Sequence, residues 1–184
     1  MNQTMSDQNK IWNHFQNDGV DSFALAHGRQ EYLVRRLKSG MRVLNIGVGS
    51  GYLEGLAAAK GVDIYSLDPN EQSVERLRLS LGVGDKAQVG YCQKIPFNAE
   101  LFDVVIMSEV LEHLDEDVFQ QTITEVKRVL RKDGRFIGTV PAREKLEISL
   151  VVCPTCGDKF HRWGHKRSFD VEMLRSELRT KFVV

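Results

Sequence analysis

The chain has 184 residues, 42% hydrophobic and 27% charged, with 25 basic and 25 acidic side chains that leave a formal net charge of zero. That length supports one domain with a sizeable core and argues against two. Balanced charge excludes a bulk field that would steer the protein to nucleic acid or to an anionic membrane. In chain order, the opening MNQTMSDQNK is polar and lacks the apolar centre of a signal peptide. No apolar run nears the roughly 20 residues that span a bilayer. Asp21–Leu37 reads as a helix laid across a sheet, within a helical lead-in covering residues 1–40. Arg42–Ile46 (RVLNI) is a short apolar run entering a glycine cluster, as a buried parallel strand does. Gly51–Lys60 reads as a helix stopped by Gly61, and Val62–Asp68 as a second strand punctuated by Pro69. Glu71–Leu79 is helical in composition, Ala87–Tyr91 is a weaker strand and Phe102–Met107 a strong one. Asp115–Leu130 carries apolar residues at helical spacing, and Lys132-Asp133-Gly134 reads as a turn into a fifth strand, Arg135–Val140.

This alternation predicts an α/β fold: a doubly wound, mainly parallel sheet with helices on both faces. The glycines add chemistry to it. NIGVGSG (Asn45–Gly51) lies between a strand and a helix, where Gly47, Gly49 and Gly51 permit a tight turn and close approach of a ligand to the main chain. Asp68 ends the next strand, placed to accept both hydroxyls of a ribose. The third position of a G-x-G-x-x-G fingerprint is Tyr52, so a dinucleotide pyrophosphate fits poorly. No Gly-Lys-Ser/Thr follows, which excludes a phosphate-binding P-loop. A nucleoside without phosphates remains.

These residues, with SLDP, GYCQKIPFNAELFDVVIMSEVLEHL and VLRKDGRFIGTVP, resemble the successive motifs of class I S-adenosylmethionine-dependent methyltransferases of the small-molecule type. The resemblance runs from about Arg42 to Pro141, marking residues 42–141 as a cofactor-binding core, and implies a Rossmann-like fold. It implies S-adenosylmethionine as cofactor, held by Asn45, Gly47, Gly49, Gly51, Asp68, Pro69, Cys92, Gln93, Ser108 and Glu109. Gln93 and Cys92 fall in the adenine-contacting segment; Ser108 and Glu109 lie beside the methionine part. Two departures stand out: Asn45 replaces a usual acid, and Tyr91 another. His113, in the E-V-L-E-H stretch, is the candidate catalytic base, with His165 and Arg167 as further candidates. Cys92 itself reads as a small buried hydrophobe.

CPTCGDKFHRWGH supplies Cys153, Cys156, His161 and His165 at the spacing C-x2-C-x4-H-x3-H. Two thiolates and two imidazoles suit a closed tetrahedral zinc site, structural because no position is left for water or substrate. A redox Cys-x-x-Cys and a nucleic-acid knuckle compete; the missing thioredoxin context and the zero net charge speak against them. The zinc would rigidify an insert, residues 153–165, in the wall of the substrate cleft. Three cysteines that form no disulfide framework point to a cytoplasmic protein. Residues 166–184 begin a C-terminal part: Asp170–Leu178 as a helix, Lys181–Val184 as the start of a strand whose incompleteness implies a missing C-terminal segment or a homo-oligomer covering the edge. The expected partner is a small-molecule methyl acceptor, with no membrane and no nucleic acid. Two alternatives stay open, a non-catalytic cofactor-binding module and a methyltransferase for RNA or protein that uses the Cys/His insert for recognition.

Overall fold

The computed structural model describes residues 7–17 and 26–184. Two helices come first, α1 (Asp7–Asn17) and α2 (His27–Arg35); the helix expected over Asp21–Leu37 is thus present from His27, and residues 21–25 lie outside the described residues. There follow β1 (Arg42–Ile46), α3 (Tyr52–Ala59), β2 (Asp63–Asp68), α4 (Glu71–Leu81), β3 (Ala87–Val89) and β4 (Phe102–Ser108). A 3-10 turn over Leu111–His113 leads to α5 (Glu116–Val129) and β5 (Leu130–Thr139). A hairpin of β6 (Leu150–Val152) and β7 (Lys159–His161) precedes α6 (Val171–Arg179). Local signals set several boundaries. The Asn70 side chain caps α4 by accepting the Ser73 amide at 2.7 Å, and Gly82 closes that helix in the left-handed conformation.

The five long-range strands form one parallel sheet in the order β3-β2-β1-β4-β5. Alternation along β4 divides the core. Val105 and Met107 pack with Leu44, Ile46 and the α5 residues Phe119, Ile123 and Val126. Val104 and Ile106 pack on the opposite face with Val43, Ile64, Leu33 of α2 and Leu53 of α3. Both faces are therefore covered, and the doubly wound, Rossmann-like fold is as expected. Strand order reverses between β1 and β4, so their carboxyl ends open the crevice in which such sheets bind ligands. No helix among the described residues is long and apolar enough to cross a membrane.

Two boundaries differ from the sequence reading. The fifth strand begins at Leu130, directly from α5, rather than after a turn at residues 132–134. Leu130 pairs with Phe102 and Arg135 with Val104, so residues 131–134 form a bulge. Gly134 is required in it: a Cβ there would lie 2.9 Å from Leu130 Cδ2 and 3.0 Å from the Phe102 carbonyl oxygen. Lys181–Val184 is not a strand. After α6 the Phe182 amide donates to the Leu178 carbonyl at 2.9 Å and its ring lies 5.7 Å from that of Phe136, so Phe182 packs on the core while Val183 and Val184 stay exposed.

Candidate functional site

The glycine loop leaves β1 at the reversal point. Gly47, Gly49 and Gly51 all have positive φ, and Gly51 opens α3. At Gly47 (φ +93°) a Cβ would also stand 2.8 Å from Val110 Cγ2, so the position is closed to other residues on two counts. Gly47→Ala is expected to cost roughly 1–3 kcal/mol, a fall in Tm of several degrees that scanning calorimetry would register.

Asn45 does not face the crevice as expected. It is 2% exposed, and its amide donates to the Gly47 carbonyl at 3.1 Å and to Glu54 Oε1 at 2.8 Å. Ser66 Oγ donates to the same oxygen at 3.1 Å. Glu54 is fully buried with its second oxygen unpartnered, and burial pushes its carboxyl up to about 7. The sequence gives no sign of this group, because an acid in the first turn of a helix reads as a favourable dipole partner on the surface.

Asp68 is 1% exposed at the end of β2. Its carboxylate accepts the Val48 amide at 2.7 Å and the Asn70 amide at 2.8 Å, and the Gly49 amide and Gln16 side chain also bond to it. Burial raises its pKa; those four donors offset part of the rise. Gln16 comes from α1, which lies over this corner: Asn13 Oδ1 accepts from the Asn70 side chain at 2.5 Å and Gln16 Oε1 from Ser73 at 3.2 Å. Pro69 is half-buried between Asp68 and the cap of α4. In the segment after β3, the Cys92 thiol is buried and accepts from Thr122 Oγ1 at 3.2 Å, so its side chain belongs to the core, with its pKa raised by burial. Gln93 is half-buried beside it.

At the end of β4, Ser108 Oγ meets Thr139 Oγ1 at 2.9 Å and accepts from Arg29 Nε at 3.1 Å. Glu109 adopts φ +57°, a conformation that strains a non-glycine residue, and pairs with Arg29 at 3.8 Å. Just beyond it, Glu112 is 1% exposed and neither carboxylate oxygen has a hydrogen-bond partner; burial pushes it up to about 8. His113 is pushed down to about 4 by burial and by neighbouring His165, whose ring centroid lies 4.8 Å away.

The four residues of the expected zinc site are not brought together. Cys153 and Cys156 lie in the loop joining β6 to β7, where Cys156 Sγ faces Asp158 at 3.2 Å. Backbone amides of Cys156 and Thr155 lower the pKa of the Cys153 thiol. His161 and His165 converge instead on Glu144, at 3.3 and 2.5 Å. Among the described residues the groupings with metal-ligand proximity are Glu144, His161 and His165, and Glu112, His113 and His165; neither contains a cysteine. The reason is geometric: the antiparallel hairpin carries the cysteines to its tip, whereas the chain after β7 folds back against the turn that follows β4. Its anchor is the Glu112 carbonyl, which accepts the Lys166 amide at 2.8 Å and the Arg167 amide at 3.1 Å. Arg167 is no cleft residue, since its side chain lies over Phe119 and pairs with Glu116 and Glu177.

Comparison with known proteins now bears on the crevice. A sequence model of the Methyltransferase domain matches residues 44–138, more than half of the chain. The chain belongs to the methyltransferase-domain family. An uncharacterized methyltransferase of Mycobacterium bovis is 32% identical over 94 residues, 51% of this chain and 37% of that protein. A ubiquinone biosynthesis O-methyltransferase of Rickettsia typhi is 26% identical over 129 residues, 65% of this chain and 51% of that one. The chain thus spans 37% and 51% of the length of these two relatives. The structure of a SAM-dependent methyltransferase from Archaeoglobus fulgidus superposes with a TM-score of 0.69 at 18% identity, covering 95% of this chain and 73% of that one, which shows a shared fold. In this methyltransferase domain the matched stretch holds the glycine loop, Asp68 and Glu109–His113, while the histidines of the insert lie beyond it.

Proposed function

We propose that the protein transfers a methyl group from S-adenosylmethionine to a small acceptor. The observation that carries this reading is the meeting of the glycine loop, Asp68 and Glu109 at the carboxyl ends of β1, β2 and β4. The donor set fits that cofactor. Asp68 suits two ribose hydroxyls, which would take over the donor place now held by the Gln16 side chain. With Asn45 turned inward, Glu109 is the carboxylate left for the methionine ammonium group. The cofactor supplies an electrophilic methyl on a sulfonium; the acceptor lone pair forms the new bond as the C–S bond breaks and sulfur keeps the electron pair. The chain's task is to hold the acceptor in line, and such orientation is worth ~7–11 kcal/mol. Three free thiols are in keeping with a cytoplasmic setting.

Isothermal calorimetry of the full chain with S-adenosylmethionine and with S-adenosylhomocysteine should show binding of both; no binding of either would overturn the reading. Binding without turnover across a panel of hydroxyl and amine acceptors would instead mark a non-catalytic cofactor-binding module. An RNA acceptor would show itself as salt-dependent binding through the exposed β6–β7 hairpin.

A further inference from the structure

We infer that Glu112, His113 and His165 form a divalent-metal site on the acceptor side of the crevice, where the bound ion would hold and acidify an acceptor hydroxyl. One ligand atom from each of the three lies within 4.8 Å of the others. Bonds of about 2.0–2.2 Å to a tetrahedral ion need donors ~3.4 Å apart, so a shift of about 1 Å closes the set. The independent observation is Glu112. It is 1% exposed, with one carboxylate oxygen in this grouping and no hydrogen-bond partner for either. A buried carboxylate without partners is costly, and a cation is the group that answers it.

The surroundings orient the two imidazoles as metal ligands are oriented. His165 Nδ1 lies 2.5 Å from Glu144 Oε2, so its N–H donates to a carboxylate and Nε2 carries the lone pair. His113 Nδ1 lies 3.2 Å from the Gly164 carbonyl and 3.4 Å from the Trp12 indole nitrogen; donation to Gly164 leaves the lone pair on Nε2 while acceptance from Trp12 leaves the proton there, so metal binding selects the first tautomer. The neighbouring grouping of Glu144, His161 and His165 is an orienting shell by the same argument. His161 Nδ1 accepts the His165 amide at 3.1 Å and the Trp163 amide at 3.4 Å, which leaves the proton on Nε2, 3.3 Å from Glu144 Oε1. A nitrogen that carries a proton is no ligand, so Glu144 and His161 fix His165 rather than bind the ion. Two imidazoles and one carboxylate suit a divalent transition metal and leave positions open for an oxygen ligand.

The role in transfer rests on the methyltransferase reading; the binding site does not. Bound to the ion, an acceptor hydroxyl loses its proton to water, and the resulting oxyanion forms the O–CH3 bond as the C–S bond breaks. His113 then acts as a ligand instead of the base that the motif suggests.

The test is a Mn2+ titration of the full chain, followed by loss of the free-ion electron paramagnetic resonance signal, alongside S-adenosylhomocysteine calorimetry on the same samples. One Mn2+ per chain is expected. Glu112→Gln and His165→Gln should each weaken Mn2+ binding at least tenfold, and Glu144→Gln by about 10- to 100-fold through misorientation of His165. Circular dichroism melts would confirm that the variants fold, and Mn2+ should raise the Tm of the parent but not of Glu112→Gln. Asp68→Ala should leave Mn2+ binding unchanged, which separates failure of the metal site from failure of the cofactor reading. Absence of Mn2+ binding at millimolar concentration, or binding untouched by both Glu112→Gln and His165→Gln, overturns the proposal.

Discussion

Asp68→Ala is expected to weaken S-adenosylhomocysteine binding by about one to two orders of magnitude. Two ribose hydroxyls would lose a charged acceptor, and hydrogen bonds to charged groups contribute roughly 1.5–3 kcal/mol. The same carboxylate holds the glycine loop through the Val48 and Gly49 amides, so part of the loss comes from a loosened loop. Asp68→Asn separates the two effects: its amide oxygen can keep one backbone bond but brings no charge, and its affinity should fall between those of the parent and Asp68→Ala. Calorimetry on the three proteins decides the matter, and equal affinities would remove Asp68 from the cofactor site.

The second large effect concerns stability and pH. In the folded protein the Glu54 carboxyl titrates at about 7, against an ordinary value of 4.5, because burial disfavours its charge. The folded chain therefore holds this proton more tightly than the unfolded chain. Below pH 4.5 the group is neutral in both states and imposes nothing. Between 4.5 and 7 stability falls as pH rises, and above 7 the penalty is constant, on the order of 3 kcal/mol. Glu54→Gln mimics the protonated form, since its oxygen can still accept from Asn45 and Ser66. Urea unfolding at pH 5 and pH 8 should show the variant gaining on the parent at the higher pH. Comparing the two proteins cancels the other titrating groups, Glu112 and His113 among them. A stability difference that does not change with pH would falsify the account.

Much of the scaffold was legible because it depends on local chemistry. RVLNI and FDVVIM are apolar runs bounded by glycine or polar residues, and only a strand buried on both faces makes use of such a run. Asp68 was legible by its place after the second strand. The start of β5 was not, because Val129–Leu130 continue the apolar spacing of α5 and Lys132-Asp133-Gly134 has turn chemistry; pairing with Phe102 overrides both. Nor was the fate of Lys181–Val184, where apolar β-branched residues suggested a strand and Phe182 found the core instead. The site residues that escaped notice, Glu54, Glu144 and Gln16, matter only through partners distant in sequence. For the Cys/His run, spacing suggested one ion and four ligands. Both cysteines lie in the hairpin loop and the first histidine at the far end of β7, which separates them, and no spacing rule reports where a hairpin tip points.

The segment after β7 is joined to the cofactor-binding half by main-chain bonds: Lys166 and Arg167 amides to the Glu112 carbonyl, and the Arg143 amide to Phe169. Such a joint is indifferent to side-chain identity. Exposed residues of the hairpin can be exchanged while its base stays seated, so, on the proposed reading, the acceptor side can diversify, by evolution or in a library, without disturbing the residues proposed to hold the methyl donor.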